Sequence, residues 1–363
     1  MPSLLPIARP AFRSNLIART LKIMAPQNQA AWIMEAKSHP LQVKEAPMWT
    51  PGSGEILVRN SAAAINPVDG SLQTTAFWPL NYPAILGQDV AGQVVAVGAD
   101  VTRFREGDRV LGHALGMATK RNQDSGFQLY TILQSNMASQ LPANISFESA
   151  CVLPLACSTA AAALFQDSGL HLQLPTEPRR PPTGKTVLVW GGSSSLGSNA
   201  IQLAAAAGYE VITTASPKNF DYVKRLGASQ VFDYQSSGVQ DNLINAFRGK
   251  SIAGALDCIG GPSWQICMYV VQQTAGDKVV VSAKRGFPEP LEGVTIKGLF
   301  GTSVKDSHVG KAIYEGFLPQ ALESGSYVPA PEPLVAGKGL NSIQDAVDFL
   351  RKGVSASKVV VTL

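Results

Sequence analysis

VLVWGGSSSLGSNAIQLA, residues 187–204, runs from an apolar stretch through a turn of glycine and serine into an alanine-rich segment. The run ending at Trp190 predicts a strand, and the segment from about Ser198 predicts a helix. A helix that opens after such a turn leaves backbone N–H groups unpaired and presents a partial positive charge, so small residues there let a pyrophosphate come close. Gly191, Gly192, three serines and Gly197 supply those small residues, and Gly197 lets helix and strand pack tightly. The turn departs from strict G-x-G-x-x-G, with serine at the middle glycine position. Taken alone it also reads as a strand-to-helix connection without a ligand.

The next strand separates the nucleotides. An NAD site ends that strand with Asp or Glu for the ribose hydroxyls, whereas an NADP site drops the acid and adds a cation. After VITTA come Ser216, Pro217, Lys218 and Asn219, with no acid before Asp221. A hydroxyl and an ammonium suit a 2′-phosphate, which makes NADPH the expected cofactor; the ordinary alternative is a solvated turn lysine. From Lys185 onward, short apolar runs alternate with helical segments, the pattern of an α/β domain with a parallel sheet and helices on both faces. From Ala31 to about Ala138, β-like runs are broken by Gly and Pro, predicting a β-rich domain. The proline-rich QLPTEPRRPPTG, residues 173–184, reads as an exposed insertion. Residues 310–325 and 341–353 read as helices and KVVVTL, 358–363, as a closing strand that returns to the first domain. The expected division is an extension at 1–26, a catalytic domain at 27–150, a nucleotide-binding domain at 151–303 and the return at 304–363.

A length of 363 residues fits two domains, and 45% hydrophobic against 15% charged residues fits large cores. The net charge of +4 is too small and scattered for a nucleic-acid partner. No continuous apolar stretch reaches the roughly 18 residues of a spanning helix, so a soluble chain with no membrane partner is expected. Cys151, Cys157, Cys258 and Cys267 show no paired spacing and read as buried thiols of a reducing compartment. No acid precedes Glu35, while Arg9, Arg13, Arg19 and Lys22 are basic. Two readings stay open: a mitochondrial presequence, or a dispensable extension before a start at Met24, which leaves the protein cytoplasmic.

AAINPVDG (63–70), YPAILGQDVAGQVVAVGADVTRFREGDRV (82–110), LPLACSTAAAALF (153–165), the stretch at 187–204, TASPKNFDYVKRLGASQVFDY (214–234) and the closing SKVVVTL follow one another along the chain. In these motifs it resembles the medium-chain dehydrogenase/reductase superfamily from about residue 27 to the end. It looks most like the fungal CipB-type zinc-binding oxidoreductases and the trans-acting enoyl reductases of polyketide pathways. The resemblance implies a β-rich GroES-like catalytic domain joined to a doubly wound Rossmann domain. Zinc-bearing relatives place a cysteine near Asn66, a histidine and a glutamate in a GHE motif, and a further ligand about four residues before the Thr of STA. Here those positions hold Asn66, Gly87-Gln88-Asp89 and Leu155, which lack the imidazole and thiolate zinc favours, and no metal is expected.

Carried over by resemblance, Asn66 and Pro67 line the nicotinamide pocket and Thr159 bonds the carboxamide or its ribose. Ser194, Ser195, Leu196 and Gly197 offer amides to the pyrophosphate. Ser216, Lys218 and Tyr234 enclose the 2′-phosphate end, Ile259 packs by the adenine ribose, and Val281, Ser282, Phe300 and Gly301 flank the nicotinamide. Two proton donors of relatives, a tyrosine and a lysine, are replaced by Phe77 and Ser71, leaving Ser71, Tyr82 or water. Zinc-free relatives reduce activated C=C bonds or quinones, whose conjugation delocalises the developing charge, and an NADPH-dependent reductase of that kind is the leading expectation. A carbonyl or aldehyde reductase of secondary metabolism and a nucleotide-binding protein with little turnover are the alternatives. A small-molecule substrate pocket is expected from the loops 116–127 and 284–291; the resemblance implies that the β-prone VTIKGLFGTS pairs across a two-fold axis in a homodimer, whereas the polyketide-pathway relatives act as monomers.

Overall fold

The computed structural model describes residues 27–363; the predicted N-terminal extension and its two readings lie outside the described residues. The chain before residue 150 builds eight strands: β1 (Asn28–Ile33), β2 (Gln42–Ala46), β3 (Glu55–Ala64), β4 (Ala84–Ile85), β5 (Asp89–Val97), β6 (Arg109–His113), β7 (Tyr130–Gln134) and β8 (Ala138–Gln140). β3 is the organiser: its alternating residues are almost all buried, and it pairs with β5 along nearly its whole length and with β7 over its first half. A glycine on β5 is essential to that pairing, because a Cβ at Gly92 would sit 2.1 Å from the Arg59 carbonyl oxygen.

Six strands follow: β9 (Lys185–Trp190), β10 (Glu210–Ala215), β11 (Gln230–Asp233), β12 (Ser251–Asp257), β13 (Val279–Ser282) and β14 (Thr295–Gly298). They form one parallel sheet in the order β11-β10-β9-β12-β13-β14. Runs such as TVLVW are buried on both faces, as a parallel sheet covered by helices demands. The order reverses between β9 and β12, and ligands of doubly wound sheets bind at the carboxyl ends of the strands at such a reversal.

The last two strands, β15 (Glu332–Lys338) and β16 (Ser357–Thr362), leave this sheet and pair onto the first one, β16 lying antiparallel to β3 with Val360 opposite Ala64. The sheet built around β3 is therefore completed by the C-terminal strands. The segment 173–184 is irregular and is tied to the nucleotide domain through Arg180 and Thr183 amides bonded to the Ala206 and Gly208 carbonyls. The alanine-rich helix Pro154–Phe165 is buried on nearly every side and packs against the helix Ser195–Ala206. The window Phe147–Phe165 is apolar enough by composition to cross a membrane, but 72% of it is buried inside the protein, which makes it a core element here. Cys151, Cys157 and Cys267 are buried and Cys258 is half-buried; all four are free, and burial raises their thiol pKa values.

Candidate active site

The phosphate turn is built as a capped helix start. The helix Ser195–Ala206 begins three residues earlier than the sequence suggested, because Ser194 acts as its N-cap, its hydroxyl oxygen accepting from the Gly197 amide at 3.0 Å. The Ser194 amide in turn donates to the Gly191 carbonyl. Two of the four amides assigned to a pyrophosphate, those of Ser194 and Gly197, are thus already bonded, which leaves the Ser195 and Leu196 amides. Gly197 is required by packing, since a Cβ there would lie 2.3 Å from the Gly191 oxygen. Ile259 leans on the same turn, within 2.6 Å of where a Cβ on Gly191 would be.

Beyond the turn lie two connected hollows. One of about 480 Å³ is lined by Ser193, Ser194 and Ser195 on one side and by Arg351 and Lys358 on the other. It shares Asn66, Pro67 and Ser71 with a larger cleft of about 800 Å³, walled by Phe77, Trp78, Met117, Thr159 and Phe300. Met117 and Ala118 from one predicted substrate loop and Lys284 and Arg285 from the other both reach this cleft. At the far corner, Ser216 caps a short turn of 3-10 helix, Lys218 stands exposed on it, and Tyr234 is exposed just past β11.

Several assignments change. Val281 and Ser282 are buried within β13, the Ser282 oxygen accepting from the Trp264 indole, and it is Ala283, one residue on, that lines the cleft. Tyr82 lies outside the cleft lining, with its hydroxyl buried and unpartnered beside the core around Leu72 and Ile85. Ser71 does line the cleft, although its hydroxyl donates to the Pro67 carbonyl. Thr159 likewise donates to Leu155, leaving its oxygen lone pairs to accept, and it lies against Gly301.

Asn66 lines both hollows, yet its carboxamide faces inward. Its Nδ2 donates to Asp89 at 2.8 Å and its Oδ1 accepts from Lys358 at 2.5 Å, while the Lys358 ammonium pairs with Asp89 at 2.8 Å. The remaining Asp89 oxygen accepts from the Leu155 amide. This buried knot joins the end of β3, the start of β5, the start of the helix Pro154–Phe165 and β16 at the cleft floor. It makes Asn66 a positioning residue. Lys358 was not singled out from the sequence, its only signal being a lysine that opens an otherwise apolar closing strand, and Asp89 entered only as the acid of Gly87-Gln88-Asp89, with no partner assigned.

Two further groups beneath the floor have their titration shifted by burial, each towards its neutral form. Asp69 accepts from the Asn66 amide, and burial, with nearby Asp89 adding to it, pushes its carboxyl up to about 7. His113 is brought down to about 4, again chiefly by burial. The Tyr314 hydroxyl donates to the Pro154 carbonyl, so Ser158 donates to Tyr314 and the His113 Nδ1–H donates to Ser158. The chain of bonds fixes the imidazole tautomer.

The Alcohol dehydrogenase GroES-like domain family matches residues 52–143, and the Zinc-binding dehydrogenase family matches 195–323. The chain is 60% identical to the zinc-binding alcohol dehydrogenase domain-containing protein cipB of Emericella nidulans, covering 93% of this chain and 98% of that one. It is 40% identical to the trans-enoyl reductase himH of Aspergillus japonicus, over 93% and 97%. Among solved structures, an alcohol dehydrogenase superfamily protein from Novosphingobium aromaticivorans superposes with a TM-score of 0.76 at 26% identity, over 93% and 99%. The chain belongs to the medium-chain dehydrogenase/reductase superfamily.

As a medium-chain oxidoreductase it works with a nicotinamide cofactor, and the turn fits one: Ser195, with a free amide and a hydroxyl buried without a partner, stands at the start of a helix and lines the smaller hollow, and the free Leu196 amide follows it. Zinc does not fit. At the positions of the family's ligands, Asn66 is fully engaged with Asp89 and Lys358, Gln88 offers only an amide, and Leu155 has no donor atom, while the Lys358 ammonium would oppose a second cation. Among the described residues no three His, Cys, Asp or Glu side chains come together as a ligand set.

Proposed function

We propose that this chain is an NADPH-dependent, zinc-independent reductase of activated C=C bonds in enones or enoyl groups, or of quinones. The observation that carries the reading is the cleft floor: where zinc-bearing members hold their metal, this chain has a buried Asn66–Asp89–Lys358 knot with no group placed to polarise a simple carbonyl. An acceptor that stabilises its own negative charge by conjugation suits such a floor. The trans-enoyl reductase among its relatives supports the same reaction class, and Ser216 and Lys218, with no acid between them, support NADPH over NADH.

Bound NADPH supplies the hydride. The chain's part is positioning. Thr159 presents hydroxyl lone pairs toward the carboxamide end, the Ser195 and Leu196 amides hold the pyrophosphate, and Lys218 meets the 2′-phosphate. Phe77, Trp78, Met117 and Phe300 give a flat apolar acceptor a wall to lie against, in a cleft that stays open to solvent. With Tyr82 turned away and Ser71 bonded to Pro67, solvent delivers the proton after hydride transfer. Initial rates against enone, quinone and aldehyde acceptors, each with NADPH and NADH, test the reading. Enones or quinones should consume NADPH fastest, and an aldehyde turned over in preference to both would overturn it.

A further inference from the structure

The apolar cleft has a charged lip that the reduction itself does not require. Its lining includes Lys284, Arg285, Lys305 and a single acid, Asp306. Lys305 bonds both oxygens of Asp306, at 2.6 and 2.5 Å, so that pair is internally neutral. Two uncompensated cations remain. Among the described residues, neither the Lys284 ammonium nor the Arg285 guanidinium forms an ion pair or a side-chain hydrogen bond.

Arg285 is nevertheless held in place. Its guanidinium lies over the Phe300 ring, 4.0 Å from the centroid, and Phe300 is itself braced by Trp78 at 5.8 Å between centroids. Trp78 is anchored by its indole N–H, which donates to the Met117 carbonyl. A guanidinium stacked by its face in this way keeps its in-plane N–H fork unused, the group that recognises a carboxylate or phosphate in bidentate fashion. The flat aromatic wall and the fork belong to one unit, Trp78–Phe300–Arg285.

We infer that Arg285 determines specificity by binding an anionic oxyacid group on the acceptor, so that the preferred substrate is a flat conjugated molecule bearing a carboxylate or phosphate at the end that faces the cleft mouth. The inference rests on the proposed reductase reading and adds the chemical class of its substrate. Its test uses the full-length protein and three matched aryl enones that differ only in carrying a carboxylate, a phosphate monoester or a methyl ester. The wild type should show a kcat/KM for one or both acids at least roughly tenfold above that for the ester, the effect of a charge-assisted bidentate contact. Arg285→Gln should collapse that ratio, Arg285→Lys should keep part of it, and the acid whose rate falls most in Arg285→Gln identifies the natural group. Equal loss on all three acceptors, or a wild type indifferent to charge, would overturn the inference. If none of the acceptors is reduced, the reductase reading fails on its own. The dissociation constants of the same three molecules for the NADPH-loaded protein then decide the role of Arg285, with the same ratios expected.

Discussion

Asp69 and His113 sit a few residues from the cleft floor and pull stability in opposite directions. A buried acid whose carboxyl is raised from 3.8 to about 7 keeps its proton when the unfolded chain has lost it, so its contribution falls as pH rises through that range. A histidine lowered from 6.5 to about 4 stays neutral when the unfolded chain is protonated, so its contribution falls as pH drops from 6.5 to 4. Between about 4 and 6.5 the two proton differences cancel, one more proton bound in the folded state at Asp69 and one fewer at His113. Asp69→Asn keeps an acceptor for the Asn66 amide and removes one side of this balance. Urea midpoints across pH 4.5 to 6.5 should then rise with pH more steeply than in the wild type, and the variant should be the more stable protein near pH 8. An unchanged slope would show that Asp69 is ionised in the folded state. Lys218 is the other single residue with a clear consequence. In the proposed NADPH complex an exposed Lys218 would add a modest charge-assisted contact of about 1–2 kcal/mol, so Lys218→Ala should raise the KM for NADPH roughly tenfold and leave that for NADH nearly unaltered.

At the scale of elements, the strand–turn–helix at 187–204 was legible because its signal is local: an apolar strand, small residues and an alanine-rich continuation. Its fine structure was not. The helix starts at Ser195 because the Ser194 side chain caps it, and a cap that spends the Gly197 amide changes which N–H groups remain for a ligand. Gly197→Ala puts a methyl group 2.3 Å from the Gly191 oxygen and should cost about 1–3 kcal/mol of stability. The same displacement should weaken NADPH binding, measured by fluorescence quenching, more than Ser193→Ala does. β13 shows a second limit of local reading. VVVS was recognisable as a strand, but which of its terminal residues emerges into the cleft depends on where the sheet ends, and Ala283 rather than Ser282 emerges.

At the scale of the whole molecule, the alternation of strands and helices after Lys185 and the Gly/Pro-punctuated first half made the division into a β-rich part and a parallel α/β sheet readable. The floor of the cleft was not readable, because its parts are brought together from positions 66, 89, 155 and 358 by the return of β16 to β3. Lone polar residues at such separations carry no mutual signal until the topology pairs them. In the proposed reaction that knot takes the place of a metal. The most direct measurement is the rate of NADPH oxidation with an enone acceptor by full-length protein, before and after exhaustive dialysis against EDTA, with bound metal quantified in parallel. Substoichiometric zinc and an unchanged rate are the expected result. A rate that falls on chelation and returns when zinc alone is added back would contradict it.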